Sequence, residues 1–158
     1  MPEQRVVGAD LLSLDLDALV AGTDAAILRL LDSWSEQITA PMYEQIRYHM
    51  GYGDPRAKPG KRLRPLLGLL AYAALADDVE RAMPGAAAVE LGHNFSLVHD
   101  DIQDGDAERR GRPTLWVRDG IAQAINTGDA LFTLSRIAVH ELSNLGYPDA
   151  KVIRIMKL

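Results

Sequence analysis

The sequence predicts an all-α fold, and three observations carry that reading. Apolar residues recur at steps of three and four along most of the chain, and no convincing run alternates with period two. Proline and glycine fall between the periodic stretches, as they do at helix boundaries. The first stretch runs from Asp24, where Ile27, Leu31, Trp34 and Ile38 share a helical face and Thr23 or Asp24 can cap the start. Pro41 lacks the amide that a helix interior needs, so a kink or break is expected around Ala40. Residues 51–60 are rich in Gly and Pro and read as a loop. A second helix follows, with Pro65 in its first turn and Leu63, Leu66, Leu67, Leu70 and Ala74 as its expected apolar stripe. A third begins near Pro84 and carries Ala88, Leu91, Phe95 and Val98 on one side. Residues 105–114, "GDAERRGRPT", interrupt the pattern. Helical spacing then returns over residues 115–146, with a joint expected at Thr127 and Gly128. The last helix starts near Pro148, and its apolar face of Val152, Ile153, Ile155 and Met156 is still open at Leu158. That ending reads as a chain cut short or as a helix that needs a partner.

The chain of 158 residues suits one domain spanning 1–158, with residues 1–22 as an N-terminal extension. Its 47% hydrophobic and 25% charged residues are those of a globular protein rather than a disordered one. A net charge of −5 argues against a nucleic-acid partner, which needs a basic face, so any polyanionic ligand must be held by local charge. The absence of cysteine excludes disulfides, thiolate chemistry and Cys-based zinc sites. The N-terminus carries acids where a secretory signal needs a basic start, so a cytoplasmic location is expected. No stretch approaches the roughly 18 uninterrupted apolar residues of a membrane span, and stable membrane insertion is not expected.

Residues 97–116, "LVHDDIQDGDAERRGRPTLW", concentrate charge of both signs. On a helix Asp100 and Asp104 share a face and Asp101 is turned by about 100°. Like charges at that spacing cost a helix a few tenths of a kcal/mol, and at a helix C-terminus the macrodipole also disfavours them. A hard divalent cation such as Mg²⁺ compensates, because it takes carboxylate oxygens, keeps several waters and shares its site with substrate phosphates. The competing reading is a solvated acidic helix end. Arg109, Arg110 and Arg112 follow, with guanidinium forks that match phosphate or that merely neutralise the neighbouring acids. A second basic group, Lys61, Arg62 and Arg64, opens the second helix, where free amides favour an anion; an exposed basic turn is the alternative. His93 lies seven residues before Asp100, on nearly the same face, which tips it toward phosphate contact; His99 faces elsewhere and reads as structural, and His49 and His140 carry no comparable signal. Together the three clusters supply what two diphosphates need, one held by cations directly and one through metal. No HExxH, G-x-S-x-G, Cys-His pair or phosphate-binding G-x-x-x-x-G-K-[ST] loop is present.

"PGKRLRP", "ELGHNFSLVHDDIQD" and "RRGRPTLW" resemble, in order and spacing, the GGKRLRP block, the first aspartate-rich motif and the RRG turn of the trans-isoprenyl diphosphate synthases, or polyprenyl synthetases. The resemblance covers most of the chain but only the N-terminal half of a typical member. It implies an isoprenoid-synthase helical bundle and a prenyltransferase that joins isopentenyl diphosphate to an allylic diphosphate. Asp100, Asp101 and Asp104 would bind Mg²⁺ bridging the allylic diphosphate, with Arg109 supporting it. Lys61, Arg64, His93 and Arg110 would hold isopentenyl diphosphate. Phe95, five residues before Asp100 and roughly 7–8 Å along the helix, with the small Ser96 beside it, looks like a short-chain pattern for C15 to C20 products; ordinary core packing is the competing reading of Phe95. A homodimer is implied as well. Pro59 departs from the family's first glycine, which would stiffen that loop. The family's second aspartate-rich motif and a later lysine do not occur in these residues, so the chain alone is expected to be inactive unless another chain supplies them. A non-catalytic helical partner or regulatory subunit of a complete synthase is the alternative from another class. A terpene cyclase of the same fold fits less well, because it has no need of the isopentenyl site.

Overall fold

The computed structural model describes residues 11–54, 57 and 60–157; Pro59 and Leu158 lie outside them. Seven α-helices, two 3-10 turns and one two-stranded hairpin are present among the described residues. Helix α1 (Leu16–Ser33) starts earlier than the apolar spacing suggests, because Asp15 caps it: its Oδ1 accepts from the Ala18 amide at 3.0 Å. Thr23 and Asp24 are therefore helix-interior residues, and Thr23 Oγ1 donates to the Leu19 carbonyl at 3.0 Å. The break expected near Ala40 is there, since α1 ends at Ser33 and α2 (Ala40–Met50) places Pro41 in its first turn, where no amide is needed.

Helix α3 (Leu63–Ala73) is rotated relative to its expected stripe. It buries Pro65, Leu69 and Ala73, while Leu63 and Leu67 are 57% and 66% exposed. The cause is Arg62, which caps the helix and is itself buried; Pro65, Leu69 and Ala73 follow it at three, seven and eleven residues and share its face. Helix α4 (Met83–Asp104) begins with Pro84 as expected and packs along α6 (Ile121–Asn144) as the principal helix pair.

The predicted joint at Thr127 and Gly128 does not exist. It lies instead at Gly120 (φ 90°), between α5 (Leu115–Asp119) and α6. Gly128 serves close approach: a Cβ there would run into the His99 ring on α4. The last helix, α7 (Asp149–Met156), buries Val152, half-buries Met156 and leaves Ile153 and Ile155 about half exposed.

The main core joins Ile27 and Leu31 of α1, Ile46 and Met50 of α2, Leu91 and Val98 of α4 and Leu131 of α6. A smaller cluster of Leu19, Leu69, Met83 and Ala86 seats α3 against α1 and α4. Burying a side chain such as Leu91 contributes about 1.5–3 kcal/mol, which holds α4 in register for the polar groups at its margins. The antiparallel strands β1 (Glu108–Arg109) and β2 (Arg112–Pro113) pair Arg109 with Arg112 across a two-residue loop. That loop has positive φ at both Arg110 (55°) and Gly111 (77°), the backbone of a tight hairpin turn. Among the described residues no helix is long and apolar enough to cross a membrane.

Candidate diphosphate-binding site

Two turns of opposite origin bring the arginines together. Arg62 (φ 48°) and Arg110 (φ 55°) are the two non-glycine residues with positive φ among those described, and both border one cleft. The cleft holds about 110 Å³ and is lined by Lys61, Arg64, Glu90, His93 and Arg110 among others. Arg64 Nη1 donates to His93 Nε2 at 3.0 Å, which makes that nitrogen the acceptor and the ring neutral. Partial burial and the Arg64 charge both hold the His93 pKa below its ordinary value. Arg110 Nη1 is buried without a hydrogen-bond partner among the described residues. Gly60 closes the cleft against the same guanidinium, since a Cβ at residue 60 would lie 2.9 Å from Arg110 Nη2. Burial, then the Arg62 charge, lowers the Arg110 pKa, as expected for a cation short of counter-charge. The residues anticipated for isopentenyl diphosphate thus meet in one place, with Lys61 and Arg64 exposed to solvent.

Arg62, grouped with Lys61 and Arg64 as an anion-binding cation, does not face the solvent. Its side chain is fully buried, with Nε 2.8 Å from Asp24 Oδ1 and Nη1 2.7 Å from Glu90 Oε1. The sequence offers Asp24 only as a helix cap and does not single out Glu90, although a signal exists: Glu90 and Asn94 fall on the buried stripe of α4, where a charge needs a partner.

The aspartates divide in the same way. Asp100 and Asp104 are exposed on one side of the last turns of α4, whereas Asp101 is buried and receives Nε (2.8 Å) and Nη2 (2.5 Å) of Arg109. Arg109, expected to support a diphosphate, is therefore engaged with Asp101, and this hydrogen bond is the main reason its pKa is raised. Among the described residues no three His, Asp or Glu side chains converge as a preformed cation site.

A second, narrow cleft lies beside the hairpin, lined by Tyr48, His49, Asp101, Arg109, Arg110 and Arg112. Arg112 Nη2 donates to the Tyr48 carbonyl at 2.6 Å and its guanidinium stacks over the Tyr48 ring, tying the hairpin to α2. His49 is buried there, and burial followed by the Arg110 and Arg109 charges pushes its pKa down to about 3. No spacing in the sequence pointed to it. Phe95 is half-buried and packs edge-on to His99 (5.0 Å between ring centres) and against Phe132 (5.1 Å). Ser96 is half-buried beside it, its Oγ donating to the His93 carbonyl at 2.8 Å.

Comparison with known proteins gives this arrangement its relatives. The chain is 43% identical to a (2E,6E)-farnesyl diphosphate synthase of Mycobacterium tuberculosis over 110 residues, covering 66% of this chain and 31% of that protein. It is 42% identical to a geranylgeranyl diphosphate synthase of the same organism over 130 residues, covering 79% and 36%. The crystal structure of geranylgeranyl pyrophosphate synthetase from Pyrococcus horikoshii Ot3 superposes with a TM-score of 0.75 at 35% identity, over 90% of this chain and 40% of that one. A polyprenyl synthetase from Streptomyces coelicolor A3(2) gives 0.68 at 37%, over 90% and 44%. The chain thus spans about a third of the length of these curated relatives and shares the all-α fold of the isoprenoid synthases. The polyprenyl synthetase family model matches residues 52–158, well over half of the sequence, and the chain belongs to that family.

Proposed function

We propose that this chain is the N-terminal half of a prenyltransferase that condenses isopentenyl diphosphate with an allylic diphosphate to a C15 to C20 product. The observation that carries the reading is Arg110. It lines both the Lys61/Arg64/His93 cleft and the cleft beside Asp101 and the hairpin, so one cation with an unpaired nitrogen stands between a basic pocket and an acidic helix end.

Lys61, Arg64, His93 and Arg110 bind the isopentenyl diphosphate directly, and neutral His93 adds a hydrogen bond without competing for protons. Asp100 and Asp104 offer two exposed hard-oxygen donors on one face, a set that suits Mg²⁺, which takes one or two carboxylates and keeps its waters. Bound there, the metal would neutralise the allylic diphosphate as a leaving group. Asp101 keeps Arg109 at the rim of the same site. Phe95, with Ser96 beside it, limits the length of the growing chain, and the mature enzyme is a homodimer.

The test is calorimetric titration of the chain with inorganic diphosphate. One equivalent is expected in EDTA and a second with Mg²⁺; Lys61→Ala with Arg64→Ala should remove the first, and Asp100→Ala the second. Binding that ignores both sets of substitutions would refute the assignment.

A further inference from the structure

The three charges that the cleft does not use for ligand suggest how it is held. Arg62 lies between Lys61 and Arg64, yet every nitrogen of its guanidinium is occupied: Nε by Asp24 of α1, Nη1 by Glu90 of α4, and Nη2 by the carbonyl of Met50 at the end of α2 (3.2 Å). The carboxylates are satisfied in turn. Tyr52 donates to Asp24 Oδ1 at 2.8 Å and Asn94 Nδ2 to Glu90 Oε1 at 2.8 Å, while the Tyr52 ring lies 5.7 Å from the guanidinium carbon. With each nitrogen engaged and the side chain fully buried, Arg62 is not presented to a phosphate in the cleft. What it does instead is join three helices at the residue that caps a fourth, with Lys61 before it, Arg64 two residues after it, and His93 three residues beyond Glu90.

We infer that Asp24, Arg62 and Glu90 are positioning residues, a triad of buried Arg62 and Glu90 with half-buried Asp24 that fixes Lys61, Arg64 and His93 at the spacing a diphosphate requires. The inference rests on the reading of the cleft as a diphosphate site. Positive φ at Arg62 belongs to the same device, because the left-handed turn lets residue 62 point inward while its neighbours stay at the surface. Planar, three-sided recognition also explains the residue type: lysine carries the charge but cannot reach all three acceptors in one plane.

The sign of the effect separates this role from simple electrostatics. Asp24 does not line the cleft, and Asp24→Asn removes a negative charge, which by field alone makes the cleft more positive and tightens anion binding. A positioning role predicts the reverse. Calorimetry of the 158-residue chain with inorganic diphosphate in EDTA should show Asp24→Asn and Arg62→Lys each weakening binding by about tenfold, with helical circular dichroism retained. Tighter or unchanged affinity in both folded variants would overturn the triad. Should the wild-type chain not bind diphosphate at all, the reading of the cleft falls, and the triad is judged without ligand. The His93 pKa, followed by NMR in Arg62→Lys, should then rise toward the ordinary histidine value as Arg64 is released from the ring. The charge is conserved in that variant, so a shift reports displacement, and an unmoved His93 would contradict the inference.

Discussion

The basic cluster at residues 61–64 and the acidic cluster at residues 100–104 have opposite signs, and each turns one member inward. Arg62 goes into the core between two carboxylates, leaving Lys61 and Arg64 outside; Asp101 turns in toward Arg109, leaving Asp100 and Asp104 outside. The depth differs. The Arg62 side chain is fully buried and its partners come from α1, α2 and α4, whereas Asp101 has one charged partner, Arg109, whose side chain is 27% exposed and which lies eight residues further along the chain. Inward charges therefore tie the frame together, the basic one through more elements than the acidic one, and outward charges stay exposed, as the proposed ligand roles require.

The largest effect should come from the deepest charge. Arg62→Ala leaves buried Glu90 and half-buried Asp24 without their counter-charge and is expected to cost about 3–5 kcal/mol in a urea titration. A loss below about 1 kcal/mol, typical of surface pairs, would erase the difference between the two ends.

His49 comes next, as the buried histidine beside the hairpin arginines. Its pKa is about 3 in the folded chain against an ordinary 6.5, so the unfolded chain takes up the proton first on acidification. The stability this contributes is complete above pH 6.5 and is lost as the pH falls toward 3, at about 1.4 kcal/mol per pH unit for one proton. His49→Gln should remove that slope from the pH dependence of unfolding; an unaltered slope would mean that the ring titrates in the folded chain. The smallest effect should be a gain. Asp104→Ala removes an exposed acid from a helix C-terminus, four residues after another, and should raise stability by about 0.3–0.5 kcal/mol in the same titration.

Much of this was legible in the residues. Proline placement gave the break before α2 and the starts of α3 and α4, because a missing amide has few places to go. The family motifs pointed to Lys61, Arg64, His93 and Arg110, and they do line one cleft. What was not legible depended on tertiary partners. The rotation of α3 follows from the burial of Arg62, and nothing near residue 62 announces that Asp24 and Glu90, 38 and 28 residues away, complete it. Gly128 looked like a helix joint because glycine usually punctuates; its reason is the His99 ring, 29 residues earlier on another helix. Helical spacing turns Asp101 away from Asp100 and Asp104, but it does not reveal the pairing of Asp101 with Arg109.

The measurement that tests the division most directly compares two adjacent, isosteric changes, Asp100→Asn and Asp101→Asn, in one equilibrium urea unfolding experiment without metal. Asp101→Asn should lose about 1.5–3 kcal/mol, the range for hydrogen bonds to a charged partner, while Asp100→Asn should stay within about 0.5 kcal/mol of the wild type. Equal losses, or a greater loss at Asp100, would contradict the account that Asp101 holds the frame and Asp100 is free for ligand.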